Sequence, residues 1–240
     1  MRYLIYIFLF CSSLVFADSP NSFAQAKKIV TQLFEAHPRT IYCGCSFEGK
    51  TVDLNSCGMQ EAVNKKRAHR TEVEHMMAAE HFGQQFKCWR EPICLDKQGR
   101  AFKGRKCCQK SDERYRHIEA ELYNLAIESG VINQARSNYR FGVLPQLEDY
   151  LGCSIKIDKS SRRVEPSDDS KGMVARAYLF MSEHYTLPLS KQQEQLFRAW
   201  NKQFPPTAWE YQWASQVAQI EGYPNPYITE WGKGSTYVKR

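Results

Sequence analysis

Eight cysteines between residues 43 and 153 constrain the fold of this chain more than any other feature: Cys43, Cys45, Cys57, Cys88, Cys94, Cys107, Cys108 and Cys153. What they become depends on the compartment, and the first residues point to it. Arg2 is followed by an almost unbroken apolar run over residues 3–16, which ends in Val15-Phe16-Ala17 and Asp18-Ser19-Pro20. That is the pattern of a removable signal peptide, residues 1–17, and it is shorter than the roughly 20 apolar residues a membrane anchor needs. The ninth cysteine, Cys11, sits inside the run behind the bulky Phe10, which does not suit a lipoprotein cleavage site, so it leaves with the peptide. An even number of thiols delivered to an oxidising compartment predicts four disulfides, although eight cysteines allow 105 pairings. The rival is a zinc site, but there is no Cys-x-x-Cys pair, and Cys43-Gly44-Cys45 and Cys107-Cys108 are too tight for a zinc knuckle.

Residues 18–240 are enough to bury one sizeable core. Nothing repeats and no stretch has linker composition, so a single α+β domain with a small strand component and several helices is expected. The full chain carries 33 Lys and Arg against 26 Asp and Glu, a net +7 that becomes +6 once Arg2 is removed. An excess of that size suits a polyanionic partner and is equally common in plain soluble proteins.

Ser22-Phe23-Ala24-Gln25 reads as a capping box, and Ala26, Ile29, Val30, Leu33 and Phe34 follow at helical spacing until His37-Pro38. Residues 40–47 and 51–54 are β-rich runs around Glu48-Gly49-Lys50, a hairpin signal that would place Cys43 and Cys45 on one strand face. Residues 112–129 carry Tyr115, Ile118, Leu122 and Leu125 on one stripe and predict a helix stopped by Gly130. Residues 160–170 are polar and predict a surface loop. Three helices follow: residues 172–185, one opened by Ser190-Lys191-Gln192-Gln193, and one opened by Thr207-Ala208-Trp209-Glu210 and ended before Gly222.

Three fragments carry chemistry. Glu72-Val73-Glu74-His75 sets a hard oxygen ligand beside a near-neutral base, although Glu-His pairs are also common on plain surfaces. Leu122-Tyr123-Asn124-Leu125-Ala126 holds an amide that can serve a hard cation as a neutral oxygen ligand or simply make a local hydrogen bond. Gly104-Arg105-Lys106, followed by Cys107-Cys108, is a basic stretch that disulfides would hold rigidly, as a phosphate clamp requires. In isolation it is no more than a solvated loop. His75 and His81 are six apart, so the His-Glu-x-x-His zinc arrangement is absent.

Taken in order, these fragments make the chain resemble the bacterial endonuclease I family, periplasmic and secreted non-specific nucleases of the ββα-metal (His-Me finger) group. The resemblance runs from Asn21-Ser22-Phe23-Ala24-Gln25-Ala26 to Asn225-Pro226-Tyr227. It passes through Tyr42-Cys43-Gly44-Cys45, Arg70-Thr71-Glu72-Val73-Glu74-His75, Phe82-Gly83-Gln84-Gln85-Phe86-Lys87-Cys88-Trp89, Glu119-Ala120-Glu121-Leu122-Tyr123-Asn124-Leu125 and Leu189-Ser190-Lys191-Gln192-Gln193. What it implies is an exported Mg²⁺-dependent endonuclease, other divalent ions being alternatives, that cleaves DNA with little sequence preference and leaves 5′-phosphates. RNA is a further substrate to be tested. His75 falls on the family's general base, Glu74 and Asn124 on the protein ligands of one metal ion, and Arg105 on the arginine that steadies the scissile phosphate. Asn133 and Arg136 match as supporting residues only. The resemblance places the protein in the periplasm or outside the cell with no membrane anchor. The mechanism requires only one chain, so a monomer is expected.

Several positions depart from the family. Val73, Met76, Met77 and Ala78 stand in a stretch whose usual form is Trp-Glu-His-Val-Val-Pro-Ala, and Tyr123 replaces a histidine before the Asn-Leu pair. These changes touch the support of the site rather than its named atoms. Tyr211 stands where many relatives have a cysteine, whereas Cys94 and Cys107 are additions. The two are expected to form a new bridge closing the loop over residues 91–106 near Arg105. The alternative from another class is a non-catalytic, disulfide-rich nucleic-acid-binding protein on a retired nuclease scaffold. Joint retention of Glu74, His75, Arg105 and Asn124 argues against it, since binding alone requires no such set.

Overall fold

The structure, a computed structural model, describes residues 19–233; the expected signal peptide lies outside them. At the centre is an antiparallel pair of strands, Thr71–His75 and Leu125–Ser129, in the register Thr71↔Ser129 to His75↔Leu125. All five residues of the second strand are buried. That burial explains why residues 112–129 do not form the single helix their spacing predicts. The helix Glu113–Ala120 ends at Glu121, a 3₁₀ turn Leu122–Asn124 follows, and the chain then extends. A strand covered on both faces loses its two-residue alternation, and its apolar run then resembles a helical stripe. Gly130 therefore opens a helix, Gly130–Arg136, rather than closing one.

The other sheets are small. Phe47–Glu48 pairs with Thr51–Val52 across the expected turn, but residues 40–46 bend instead of extending, with Gly44 at φ +64°. Cys43 and Cys45 consequently face different partners, Cys153 and Cys57. The remaining bridges are Cys88–Cys108 and Cys94–Cys107, the latter as expected, so all eight cysteines are disulfide-bonded. The stretch expected to be a loop over residues 160–170 instead contributes strand Arg163–Glu165, which pairs antiparallel with Lys156–Asp158 and parallel with Arg140–Phe141.

Helix Phe23–Glu35 buries Ala26, Val30, Leu33 and Phe34 as its spacing requires. Gln25 reaches back to the amide of Asn21, but Ser22 makes no side-chain cap. Helices Asp168–His184, Lys191–Gln203 and Ala208–Glu221 close the C-terminal side, the last two capped by Ser190 and Thr207 as predicted. Between Asp168–His184 and its neighbours lies a buried ion pair, Arg176 with Glu210 at 2.5 Å. Among the described residues no helix is long and apolar enough to cross a membrane.

Candidate active site

Side chains alternate across a strand, so neighbours Glu74 and His75 leave the Thr71–His75 strand on opposite faces. The register puts Glu74 opposite Ala126, and the Met76 amide bonds to the Asn124 carbonyl at 2.9 Å. Glu74 and Asn124 are thus diagonal neighbours on one face, and His75 stands on the other.

On the His75 face, the ring is buried between Phe23, 4.6 Å away by centroids, and Phe82 at 6.1 Å. Its Nε2 lies 2.8 Å from the backbone carbonyl of Glu119. A carbonyl only accepts, so Nε2 must carry the hydrogen and Nδ1 keeps its lone pair. Burial, reinforced by the positive charge of Arg105, pushes the imidazole down to about 3, so it is neutral at ordinary pH. Arg105 opens helix Arg105–Ser111 directly after Gly104, whose φ of +88° suits glycine and aims the helix start inward. The Nε of Arg105 donates to the Glu119 carboxylate at 2.5 Å. Gln109 and Tyr115 donate to the same group. Glu119 therefore holds both candidates, His75 through its backbone and Arg105 through its side chain. Of the Arg105 guanidinium only Nε is used, and Nη2 is buried without a partner.

On the other face, Oε1 of Glu74 accepts from the Tyr42 hydroxyl at 2.9 Å and lies 3.2 Å from Nη1 of Arg136. Burial raises this carboxyl to about 7 against the opposing pull of Arg136 and Tyr42. Asn124 is fully buried. Its Oδ1 accepts from the Met77 amide at 2.6 Å and its Nδ2 donates to the Met77 carbonyl at 3.0 Å. The amide thereby fixes the turn after His75, from which helix Ala79–Gly83 departs. A carbonyl-type oxygen has a second lone pair, so this hydrogen bond orients Oδ1 without exhausting it. Among the described residues no three His, Cys, Asp or Glu side chains converge on a metal-sized gap. One carboxylate and one amide oxygen suit a hard cation that keeps most of its waters, and do not suit zinc.

Two residues matter more here than their sequence context indicates. Arg136, expected only as support, is fully buried; it binds Glu74 and donates to the carbonyls of His75 and Met76. Glu119 lay inside a matching fragment with no role attached. The one signal for Arg136 is a cation closing a helix that otherwise buries Val131 and Ile132. Asn133, by contrast, is partly buried and touches neither Glu74 nor His75 in the hydrogen bonds of the described residues. His81 is structural: its ring nitrogens meet the Tyr178 hydroxyl and the Asn138 carbonyl.

The profile of the Endonuclease I family matches residues 15–231. An extracellular deoxyribonuclease of Aeromonas hydrophila is 36% identical over 226 residues, covering 92% of this chain and 93% of that protein. A periplasmic deoxyribonuclease of the same organism is 36% identical over 218 residues, 88% of this chain and 87% of that protein. An Endonuclease-1 of Buchnera aphidicola subsp. Baizongia pistaciae is 40% identical over 215 residues, 87% of this chain and 83% of that protein.

Proposed function

The chain belongs to the Endonuclease I family, and from that premise we propose that it is an exported, divalent-metal-dependent nuclease that hydrolyses DNA phosphodiester bonds with His75 as general base. The observation that carries this reading is the hydrogen bond from His75 Nε2 to the Glu119 carbonyl, which leaves Nδ1 unprotonated beside Arg105. Four disulfides support work in an oxidising compartment, and the relatives named extracellular and periplasmic deoxyribonucleases support the same location and substrate.

In this mechanism Nδ1 of His75 takes the proton of the attacking water, an assistance worth roughly 10²–10⁴-fold in rate. The Glu119 carbonyl keeps the ring in the required tautomer and orientation. Phe23 and Phe82 shield it from bulk water and keep it neutral. Arg105 would offer the guanidinium donor that Glu119 leaves unused to the phosphoryl oxygens, where negative charge grows. Glu74 and Asn124 would hold the metal ion, Mg²⁺ by the character of the oxygen pair. When bound, that ion supplies Lewis-acid stabilisation of the phosphoryl and leaving oxygens. As the water oxygen bonds to phosphorus the P–O3′ bond breaks, the leaving 3′-oxygen takes a proton from water, and the products carry a 5′-phosphate and a 3′-hydroxyl. Contacts made mainly to phosphates carry no base information, which accounts for low sequence preference and extends the proposal to RNA.

The test is cleavage of supercoiled plasmid by the oxidised mature protein, with Mg²⁺ or EDTA, comparing wild type with His75→Ala. The expected result is metal-dependent nicking that falls by at least about 100-fold in the variant. A folded wild type that binds DNA and never cuts it with any divalent ion would establish the non-catalytic binding protein instead.

A further inference from the structure

The far end of the catalytic strand pair opens into a second recess. Its walls continue the two central strands: the 3₁₀ turn Lys66–His69 precedes the first, and helix Gly130–Arg136 follows the second. The cavity is about 530 Å³ and is lined by Lys65, Lys66, Lys159, Tyr139 and Tyr150 among others, with no acidic residue in its wall. A volume of that order holds a small molecule or a single nucleotide. From Thr71 to His75 the strand rises about 13 Å, so this recess is distinct from the candidate active site.

We propose that it is a subsite for one unpaired nucleotide of a single-stranded nucleic acid, its base lying against Tyr150 and Tyr139 and its flanking phosphates on Lys65, Lys66 and Lys159. The inference rests on the nuclease reading and adds a substrate class to it. Three observations carry it. First, the three lysines form no ion pair among the described residues, whereas the neighbouring Arg67 is engaged by Glu72 at 2.7 Å. Unpaired cations around a concave wall create a positive potential that attracts phosphate. Second, the hydroxyls of Tyr139 and Tyr150 have no hydrogen-bond partner in the described residues, and Lys159 lies 5.9 Å from the Tyr150 ring. Aromatic rings interleaved with cations are the means by which proteins hold unstacked bases and their backbone. Bases inside a duplex are already stacked and could enter only by being extruded at a cost.

Third, the backbone is strained at the lip of the recess and tied down at its Tyr150 corner. Ser137, at its rim, holds φ +52° and ψ −130°, a conformation normally left to glycine. Such strain persists where the surroundings over-determine it, and it concentrates at ligand sites. The Tyr150 corner is pinned by its amide bond to the Ile155 carbonyl at 2.8 Å and by the Cys43–Cys153 bridge. Gly152 has φ +77°, and a methyl there would meet the Gly58 carbonyl oxygen at 2.1 Å, so that corner is seated directly on the neighbouring loop. The rim also touches helix Ala79–Gly83, which follows the turn after His75: Asn138, next to Ser137, reaches Glu80 and His81.

The test uses full-length mature protein carrying His75→Ala, in EDTA, so that bound DNA is not cut. Fluorescence anisotropy compares a short labelled single-stranded DNA with the duplex of the same length, for the parent, Tyr150→Leu and Lys159→Ala. Each substitution is expected to weaken single-strand binding by about tenfold while moving duplex binding by less than about twofold. In parallel, irradiation of the parent with single-stranded DNA containing 5-iododeoxyuridine should place the adduct on Tyr150 or Tyr139 in peptide maps. This second readout decides the matter if Tyr150→Leu does not fold. Equal losses on both DNAs, or unchanged single-strand affinity with adducts elsewhere, overturn the proposal. If that happens while wild type still cuts DNA, the nuclease reading stands alone; a wild type that neither cuts nor binds nucleic acid overturns both.

Discussion

Arg136 shows how a single buried residue can serve fold and site at once. Its guanidinium neutralises Glu74 and ties down the carbonyls of His75 and Met76. Removing one partner of a buried ion pair leaves a bare charge and costs about 3–5 kcal/mol. Arg136→Met keeps the bulk and removes the charge, so the melting temperature measured in EDTA should fall by roughly 10 °C. Mg²⁺ should restore part of that loss, because a cation on Glu74 replaces the missing one; a melting temperature indifferent to Mg²⁺ would remove Glu74 from the metal site. Glu121 poses the opposite problem, a carboxylate with no cation. It accepts from Tyr185, Tyr223 and the Tyr123 amide, while Glu221 nearby holds the Leu122 amide and the Ser19 hydroxyl. Burial first, then the negative charge of Glu221, raises Glu121; burial likewise raises Glu221. The folded protein therefore binds this proton more tightly than the unfolded chain, whose value is near 4.5. The resulting stabilisation is complete below that value and is lost as pH rises through the folded one. Thermal melts from about pH 6.5 to 8, above the range in which the depressed His75 and His81 act with the opposite sign, should show stability declining with pH, and Glu121→Gln should flatten the decline. Glu74 and Glu128, raised by burial to about 7 and about 8, act with the same sign, so some slope persists.

At the scale of the element, the turn between strand Thr71–His75 and helix Ala79–Gly83 has a shape that its own residues do not enforce. Ala78 holds φ −55° and ψ 143° at the helix N-cap, within the range to which proline is locked. Its amide makes no backbone hydrogen bond in the described residues. The usual family pattern has proline here, and Asn124 now holds the turn through both bonds to Met77. Ala78→Pro should therefore stabilise by about 0.4–1 kcal/mol through the unfolded chain, raising the melting temperature by about 1–4 °C. A fall would mean that proline strains the turn. The same stretch marks the limit of what the chain discloses before folding. The cysteine count and the Ser190 and Thr207 caps were legible, because each rests on local chemistry or a parity argument, and the Cys94–Cys107 bridge was legible through the resemblance, which marks those two cysteines as additions. Strand Leu125–Ser129 was not, because burial on both faces erases the period that distinguishes strand from helix. The roles of Glu119 and Arg136 were hidden for a different reason. Their partners lie 44 and 62 positions away, at His75 and Glu74, and buried polar networks leave no spacing signature along the chain.

For the whole molecule, a moderate positive balance becomes informative only when its cations have places. Some exposed cations pair locally, as Arg100 does with Asp96 and Arg198 with Glu194, and such pairs contribute little to a distant polyanion. Lys65, Lys66 and Lys159 differ in lining one recess with no carboxylate in its wall, and Arg105 in holding a guanidinium donor, Nη2, that makes no hydrogen bond. Each phosphate neutralised on a single strand adds about −0.7 to the slope of log K against log salt. Four such contacts predict a slope near −2.8, so a fourfold rise in salt should weaken binding by roughly 50-fold. Replacing Lys65 and Lys66 together with alanine should bring the slope to about −1.4, whereas Tyr150→Leu should weaken binding at every salt concentration without changing the slope. Titrating single-stranded DNA into the His75→Ala protein at several salt concentrations measures both effects. A double-lysine variant with the parental slope would mean that those lysines never meet phosphate, and that the charge excess of this chain serves solubility rather than substrate.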